Sequence, residues 1–288
     1  MAAPDRLSGT AGLALGVASP ERLGTIVAAK LEPAGRVLLS QIGYHFRLLL
    51  RTPRTIFSAF LLPVLLLVAV GATGSSTPQR RAELVVGITT FAVIGASYLV
   101  HATGLVTARD RGILKRIRGT AIPPWAYFAG RLVATTALAL AAAAVSLIAA
   151  VLVLGASVSL SSLPGVALGV IAGALCWAAL GTAVTRLAND AAAAGAVLPA
   201  TYLPLVLVSG IFFPISSEPA LLQQAVQWLP AEPLTHTIAV SMASAHASFG
   251  DLRDVLLLAA WAVAGLVIAL RFFRWEQPAQ RCGAVGKE

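Results

Sequence analysis

The sequence predicts an all-α integral membrane protein. It would have six transmembrane helices, an N-terminal amphipathic interfacial helix, and short re-entrant or interfacial helices before the last span. Hydrophobic residues make up 58% of the 288 residues and charged residues only 11%, whereas soluble domains carry roughly 25% charged residues. Apolar runs of about 20 residues, the length that a helix needs to cross the hydrocarbon core, recur along the chain.

The apolar runs place the six spans, and the cations place the termini. All lysines and arginines except Arg80, Arg81 and Arg253 fall on the side of the termini, so the positive-inside rule predicts cytoplasmic N and C termini. Arginine greatly outnumbers lysine in a chain rich in alanine and glycine, which indicates a bacterial plasma (inner) membrane. The predicted spans are residues 56–73, 84–106, 132–154, 163–184, 191–213 and 255–273.

The chain before the first span divides into a tail and a helix. Residues 1–35 lack periodicity and predict a mobile cytoplasmic tail, with a signal peptide as the competing interpretation. Residues 36–54 predict an amphipathic interfacial helix, because Arg36, Arg47 and Arg51 share one face and leucines occupy the opposite one. The alternative is an amphipathic helix that packs on protein.

The rest of the predicted membrane domain, residues 55–273, has two further features. The external segment, residues 214–254, holds apolar runs between prolines that are too short to span, which predicts re-entrant or interfacial helices. Gly165, Gly169 and Gly173 recur every four residues in the fourth span, and we expect them to pack another helix of the same chain. Residues 274–288 predict a cytoplasmic tail.

Motifs for chemistry are missing from the 288 residues. No Gly-x-x-x-x-Gly-Lys-Ser/Thr loop, His-Glu-x-x-His motif or Gly-x-Ser-Gly turn occurs, so we expect no catalytic residue, no metal and no cofactor bound by this chain. The cations flank apolar spans, so a nucleic-acid partner is not expected. Polar side chains within the spans mark a possible translocation path, with interhelical hydrogen bonding as the alternative. They are Thr90, Ser97, His101, Thr201, Tyr202 and Ser209.

Residues 107–131, here called the polar segment, form the longest polar interruption between spans. We expect its cations to lie in water, because a Lys or Arg at the centre of a membrane helix costs roughly 2.5–3.5 kcal/mol. Ile113, Leu114 and Ile117 predict the apolar edge of a short amphipathic helix suited to docking in a groove of a partner. The alternative is a solvated loop. The charged residues around that edge are Arg109, Asp110, Arg111, Lys115, Arg116 and Arg118.

The stretch RDRGILKRIRGTAIPPWAYFAGRL resembles the loop between the second and third spans of type-2 ABC exporter permeases. That loop reads G-T-L-K-R-L-R-x-T-P-L-P, followed by an aromatic residue, glycine and arginine. Ile113 and Ala121 depart from the pattern. The stretch LPAEPLTHTIAVSMA resembles L-P-x-T followed by six residues and an arginine, but the arginine is absent.

The resemblance implies the membrane-spanning subunit of an ATP-driven exporter of drugs, lipids or antibiotics. Such a permease forms the path for a hydrophobic or amphipathic substrate and is not itself an enzyme. ATP and magnesium would bind a separate ABC ATPase subunit, whose cleft would receive Ile113, Leu114 and Ile117. Other expected partners are a second permease copy or a sister permease, and membrane lipids. The alternative functions are an ATP-independent secondary carrier or channel and, third, a membrane-embedded enzyme.

Overall fold

The computed structural model describes residues 34–71, 77–120, 122–208, 220–244 and 251–272. Every regular element in these ranges is helical, which confirms the all-α class. The helices are α1 (Ala34–Leu50), α2 (residues 53–71), α3 (Pro78–Asp110), α4 (Ile113–Arg118), α5 (Pro124–Leu154), α6 (Leu163–Val184), α7 (Ala191–Val208), α8 (Ala220–Val226), α9 (Ala231–Ala243) and α10 (Leu252–Phe272). The predicted tails lie outside these ranges, apart from Ala34 and Gly35, and so does Ser209.

Five helices, namely α3, α5, α6, α7 and α10, are long and apolar enough to cross a membrane. The predicted first span corresponds to α2, whose apolar part, Ala59–Ala69, is shorter than a span. Helix α2 also contains a π-helical stretch at Phe57–Leu61. The count of six spans therefore stays a prediction, while five candidate spans are confirmed.

Helices α3 and α5 are longer than a bilayer requires. They have 33 and 31 residues, which at 1.5 Å per residue gives about 50 and 46 Å, compared with about 30 Å for the hydrocarbon core. Both helices therefore project beyond the apolar layer. The C-terminal end of α3 and the N-terminal end of α5 meet at the polar segment, with α4 between them.

Helix α6 lies at the centre of the bundle and contacts α3, α5, α9 and α10. A Cβ added at Gly169 would lie 2.8 Å from Thr237 Cγ2 of α9, and one at Gly173 would collide with Leu234 of the same helix. Gly265 of α10 approaches the α6 backbone at Ala179. The prediction that the glycines of this span pack within the chain is confirmed for Gly169 and Gly173.

The predicted external segment contains two short helices, α8 and α9. Helix α9 buries Leu234 and Ile238 against the bundle. His236 Nδ1 hydrogen-bonds Asp254 Oδ2 of α10 at 2.6 Å, and Trp261 Nε1 donates to the Trp228 carbonyl at 2.8 Å. The short helices are therefore fastened to α10; whether they are re-entrant or interfacial stays a prediction.

Helix α1 packs along α5. Gln41 lies against Gly130, where a Cβ would come within 2.7 Å of the Gln41 Cβ, and His45 is 2% exposed. Its remaining surface exposes Leu39 and Phe46, as well as the predicted Arg36, Arg47 and Arg51. Helix α1 is therefore docked on protein along one stripe and leaves apolar and cationic side chains outside. Its location in a membrane interface stays a prediction.

Candidate functional site

The polar segment folds into a tight helical connection between α3 and α5. Gly112 has a φ of 68°, a left-handed conformation that glycine adopts without a Cβ penalty, and its carbonyl accepts the Arg116 N–H. Helix α4 then runs to Arg118, and Pro124 begins α5 at a position where a missing N–H costs nothing. The predicted short helix is present.

Helix α4 is attached to the bundle by a small core of its own. Leu114 is fully buried against Leu105 and Ala108 of α3 and Tyr127 of α5, with Ile113 and Ile117 partly buried beside them. The sequence-based assignment of Leu114 as a docking contact is therefore wrong, since its side chain has no surface to offer. Tyr127 is also buried.

The outer surface of α4 is cationic. Arg111, Lys115 and Arg116 are exposed, whereas the side chain of Arg118 is outside the description. The arrangement leaves a basic surface backed by a fixed apolar core. A partner could contact this basic surface and the partly exposed side chains of Ile113 and Ile117.

Arg109 and Asp110 join the polar segment to the next loop on the same side, residues 185–190. The Arg109 guanidinium is 6% exposed and donates to the carbonyls of Thr185, Ala188 and Asn189. Asp110 Oδ2 accepts the Ala191 N–H at 3.4 Å, at the start of α7. The expectation that all cations of the segment lie in water is wrong for Arg109, because backbone carbonyls replace its water.

Arg131 also contradicts that expectation, since it is 5% exposed. Its Nη2 donates to the His101 carbonyl at 2.7 Å. A neutral acceptor thus holds this charge about two turns inside α5. The position of Arg131 within α5, after Trp125 and Tyr127, could have indicated burial. It was assigned to water because it was grouped with the other cations of the polar segment.

His101 links three helices through its ring. Nε2 lies 3.1 Å from Thr182 Oγ1 of α6, and Nδ1 lies 2.9 Å from Thr135 Oγ1 of α5. The Thr182 hydroxyl donates to the Ala178 carbonyl, so Thr182 accepts from Nε2–H and Thr135 donates to Nδ1. His101 therefore joins three helices, with both ring nitrogens hydrogen-bonded.

The other predicted path residues lie deeper. Thr201 Oγ1 and the Tyr98 hydroxyl hydrogen-bond at 2.6 Å, and the Tyr98 ring contacts Tyr202 and Trp177 with centroid distances of 5.7 Å. Tyr98 belongs to the π-helical stretch Gly95–Val100, a kind of irregularity that is frequent at functional sites. The structure brings Thr201 and Tyr202 together around Tyr98, which sequence reasoning missed.

Thr90 and Ser97 are fully buried in α3. Ser97 Oγ donates to the Val93 carbonyl of its own helix at 2.6 Å. Neither side chain has a hydrogen bond with Tyr98, Thr201 or Tyr202 in the described residues. The predicted polar stripe of α3 is thus separate from the aromatic cluster, and its role in a path stays a prediction.

The chain matches a known protein family. Residues 38–245 match the family model described as ABC-2 type transporter, which covers more than half of the chain. The chain belongs to the ABC-2 type transporter family. A relative from Bacillus subtilis (strain 168), named "Putative transport permease YvfS", is 25% identical over 160 residues, which are 54% of this chain and 65% of the relative. The chain thus spans slightly less than two thirds of that relative's length.

This ABC-2 chain is a multi-pass membrane protein, and it holds a cavity of about 400 Å³ at the end of the bundle that carries the polar segment. The cavity lies between α1, the start of α2, α3, α5 and α7. Of the predicted site residues in the described ranges, only Arg111 and Ile113 line this cavity. Thr90, Ser97, Thr201 and Tyr202 do not line it. Arg131 and His45 line it, and sequence reasoning assigned a site to neither.

The external segment brings together one group of metal-capable side chains among the described residues. His236, Asp251 and Asp254 hold ligand atoms within 4.8 Å of one another. Burial lowers the pKa of His236, but the hydrogen bond and charge of Asp254 outweigh it and raise the pKa above 6.5. An ion pair between α9 and α10 accounts for this group, because Asp254 is 4% exposed and needs a partner.

Proposed function

We propose that this chain is the membrane-spanning subunit of an ATP-driven exporter and that it works with a separate ABC ATPase subunit. Membership of the ABC-2 type transporter family and the relative named as a transport permease support this role. ATP and magnesium would bind the partner, because the 288 residues contain no phosphate-binding loop. The chain itself would be a transporter component and no enzyme.

The observation that carries the proposal is the attachment of α4. A coupling element has to receive a push and pass it on, so it must be rigid with respect to the helices that it moves. Leu114 fixes α4 to the ends of α3 and α5 through the core with Leu105, Ala108 and Tyr127. The exposed Arg111, Lys115 and Arg116 would orient α4 in the cleft of the ATPase by charge.

The contacts of Arg109 extend the same argument to two more helices. Its hydrogen bonds to residues 185, 188 and 189, together with that of Asp110 to Ala191, tie the α3 end to the end of α6 and the start of α7. A displacement of α4 would therefore tilt α3, α5, α6 and α7 together. Coupled tilting of this kind converts a path open on one side into a path open on the other.

The remaining parts of the proposal concern path, assembly and orientation. We infer a hydrophobic or amphipathic substrate from the apolar spans, and a path near Tyr98, Thr201 and Tyr202, whose hydroxyls are the polar groups that the described core offers there. A second copy or a sister permease would complete the path. The cation distribution supports a bacterial plasma membrane with both termini in the cytoplasm.

Charge reversal on α4 tests the proposal. The chain is co-expressed with each ABC ATPase of its source genome that lacks its own membrane domain, and the complex is isolated through a tag on the permease. The double variant Lys115→Glu, Arg116→Glu should fold, because both side chains are exposed, and should retain less than about a tenth of the ATPase, since like charges across an interface cost several kcal/mol.

Arg80→Glu is the matched control. Arg80 lies at the opposite end of α3, where the change removes a solvent-accessible ion pair with Glu83, and surface pairs of this kind are worth at most about 1 kcal/mol. ATPase recovery should equal that of the wild type. The proposal fails if no ATPase co-purifies with the wild type or if the α4 variant recovers as much as the control.

A further inference from the structure

The cavity at the polar-segment end of the bundle contains a buried cation without an anionic partner. Arg131 is 5% exposed and lines the cavity. Its hydrogen-bond partner is the neutral His101 carbonyl, and no carboxylate of the described residues lies within ion-pair distance. Its Nε has no hydrogen-bond acceptor. Burying a charge without an anionic partner, and with one N–H left without an acceptor, costs free energy. An anion bound beside Arg131 would offset this cost.

A second buried polar group lies beside the first. His45 of α1 lines the same cavity, is 2% exposed, and has no hydrogen-bond partner at Nε2. Burial and the positive charge of Arg131 lower the pKa of His45 to about 4, although a hydrogen bond with the Tyr127 backbone opposes the shift. A neutral ring has a single N–H, which the hydrogen bond with the Tyr127 backbone occupies, so the partnerless Nε2 carries a lone pair and cannot donate to an anion.

The walls of the cavity are amphipathic. Leu48, Leu49, Leu99 and Val100 give it an apolar side, while Thr52, Thr55, Thr103 and Thr107 add hydroxyls. Arg111, which is exposed, contributes a second cation at the mouth. A volume of about 400 Å³ is within the range of small-molecule sites. A free inorganic anion would satisfy the charge and leave the apolar side empty.

We propose that this cavity binds an acidic phospholipid of the surrounding bilayer, with the lipid phosphate at Arg131 and the start of an acyl chain against the leucines. The source is the membrane, because α1, which forms one wall, also exposes Leu39 and Phe46 on its outer surface. A lipid that enters beside α1 passes from one apolar surface to another. The site does not depend on the proposed coupling to an ATPase.

Competition between two lipids of equal chain length measures the site. The full chain is purified in detergent with equimolar phosphatidylglycerol and phosphatidylcholine, and the lipids that it retains are counted by native mass spectrometry. The wild type should retain phosphatidylglycerol over phosphatidylcholine by about tenfold or more, the ratio expected from one charge-assisted hydrogen bond. Arg131→Met should reduce this preference to about twofold or less.

Two variants keep the result interpretable. Arg116→Met removes the same charge from the exposed surface of α4 and should keep the wild-type preference. Gly104→Ala leaves every charge in place but sets a Cβ 2.5 Å from Arg131 Nη2, which forces the guanidinium aside. It should lower the preference even if Arg131→Met cannot be purified.

Three outcomes would overturn the proposal. They are equal retention of the two lipids by the wild type, equal loss of preference in Arg116→Met and the cavity variants, and full displacement of phosphatidylglycerol by millimolar inorganic phosphate. The last outcome would assign the cavity to a small anion. Retention of phosphatidylglycerol in the presence of phosphate supports the lipid.

Discussion

Leu114 is the residue through which α4 is held, and its truncation measures how firmly. In Leu114→Ala the three carbons removed leave a hole between Leu105, Ala108 and Tyr127. Buried Leu→Ala changes cost roughly 2–5 kcal/mol. The lower end applies here, about 2–3 kcal/mol, because the core is small and its partly buried members, Ile113 and Ile117, can move into the space.

The loss falls on the attachment of α4 and not on the whole bundle, so local hydrogen exchange is the assay. A loss of about 2–3 kcal/mol should speed exchange of the amides of Ile113–Arg118 roughly 30- to 150-fold, while exchange in α6 stays unchanged. Arg116→Ala, at an exposed neighbouring position, should change exchange by less than about threefold. Equal exchange in Leu114→Ala and the control would refute the attachment.

Three further predictions concern other contacts. Gly265→Ala sets a Cβ 2.9 Å from the Ala179 carbonyl carbon and should lower stability by roughly 1–3 kcal/mol in thermal unfolding, whereas Gly43→Ala, with nothing within 4 Å, should be neutral or stabilising. The ion pair of His236 with Asp254 should stabilise the fold fully below pH 6.5, and this stabilisation should be lost as pH rises through the raised pKa of His236. If the melting temperatures of the wild type and of Asp254→Asn depend on pH in the same way, the prediction is wrong. Arg109→Met should speed exchange in residues 185–191 roughly tenfold, and unchanged protection there would rule out the link between the loops.

Much of the fold follows from apolar periodicity. Helices α3, α5, α6, α7 and α10 coincide with predicted spans, because a run of about 20 apolar residues has few alternatives to a helix in a membrane. Gly112 separates α3 from α4, and Pro124 begins α5, both for local steric reasons. The apolar edge of α4 was also predicted, but the sequence did not indicate that this edge packs against α3 and α5.

The misassigned residues depended on contacts between distant parts of the chain. Leu114 looked like a docking contact because a short amphipathic helix does not reveal whether its apolar edge faces its own bundle or a partner. Arg109 and Arg131 were assigned to water by charge, yet carbonyls supplied from residues 185–189 and 101 hold them in the interior. No local pattern specifies an acceptor that lies tens of residues away.

The most direct test of coupling through α4 is site-specific photo-crosslinking in the assembled transporter. A photoreactive amino acid replaces Arg116 on the exposed surface of α4 or, as a control, Arg80 at the other end of α3. The account predicts a crosslink to the ABC ATPase from position 116, with a yield that changes on addition of ATP and magnesium, and none from position 80. The absence of a crosslink at 116, or equal crosslinking at both positions, would contradict it.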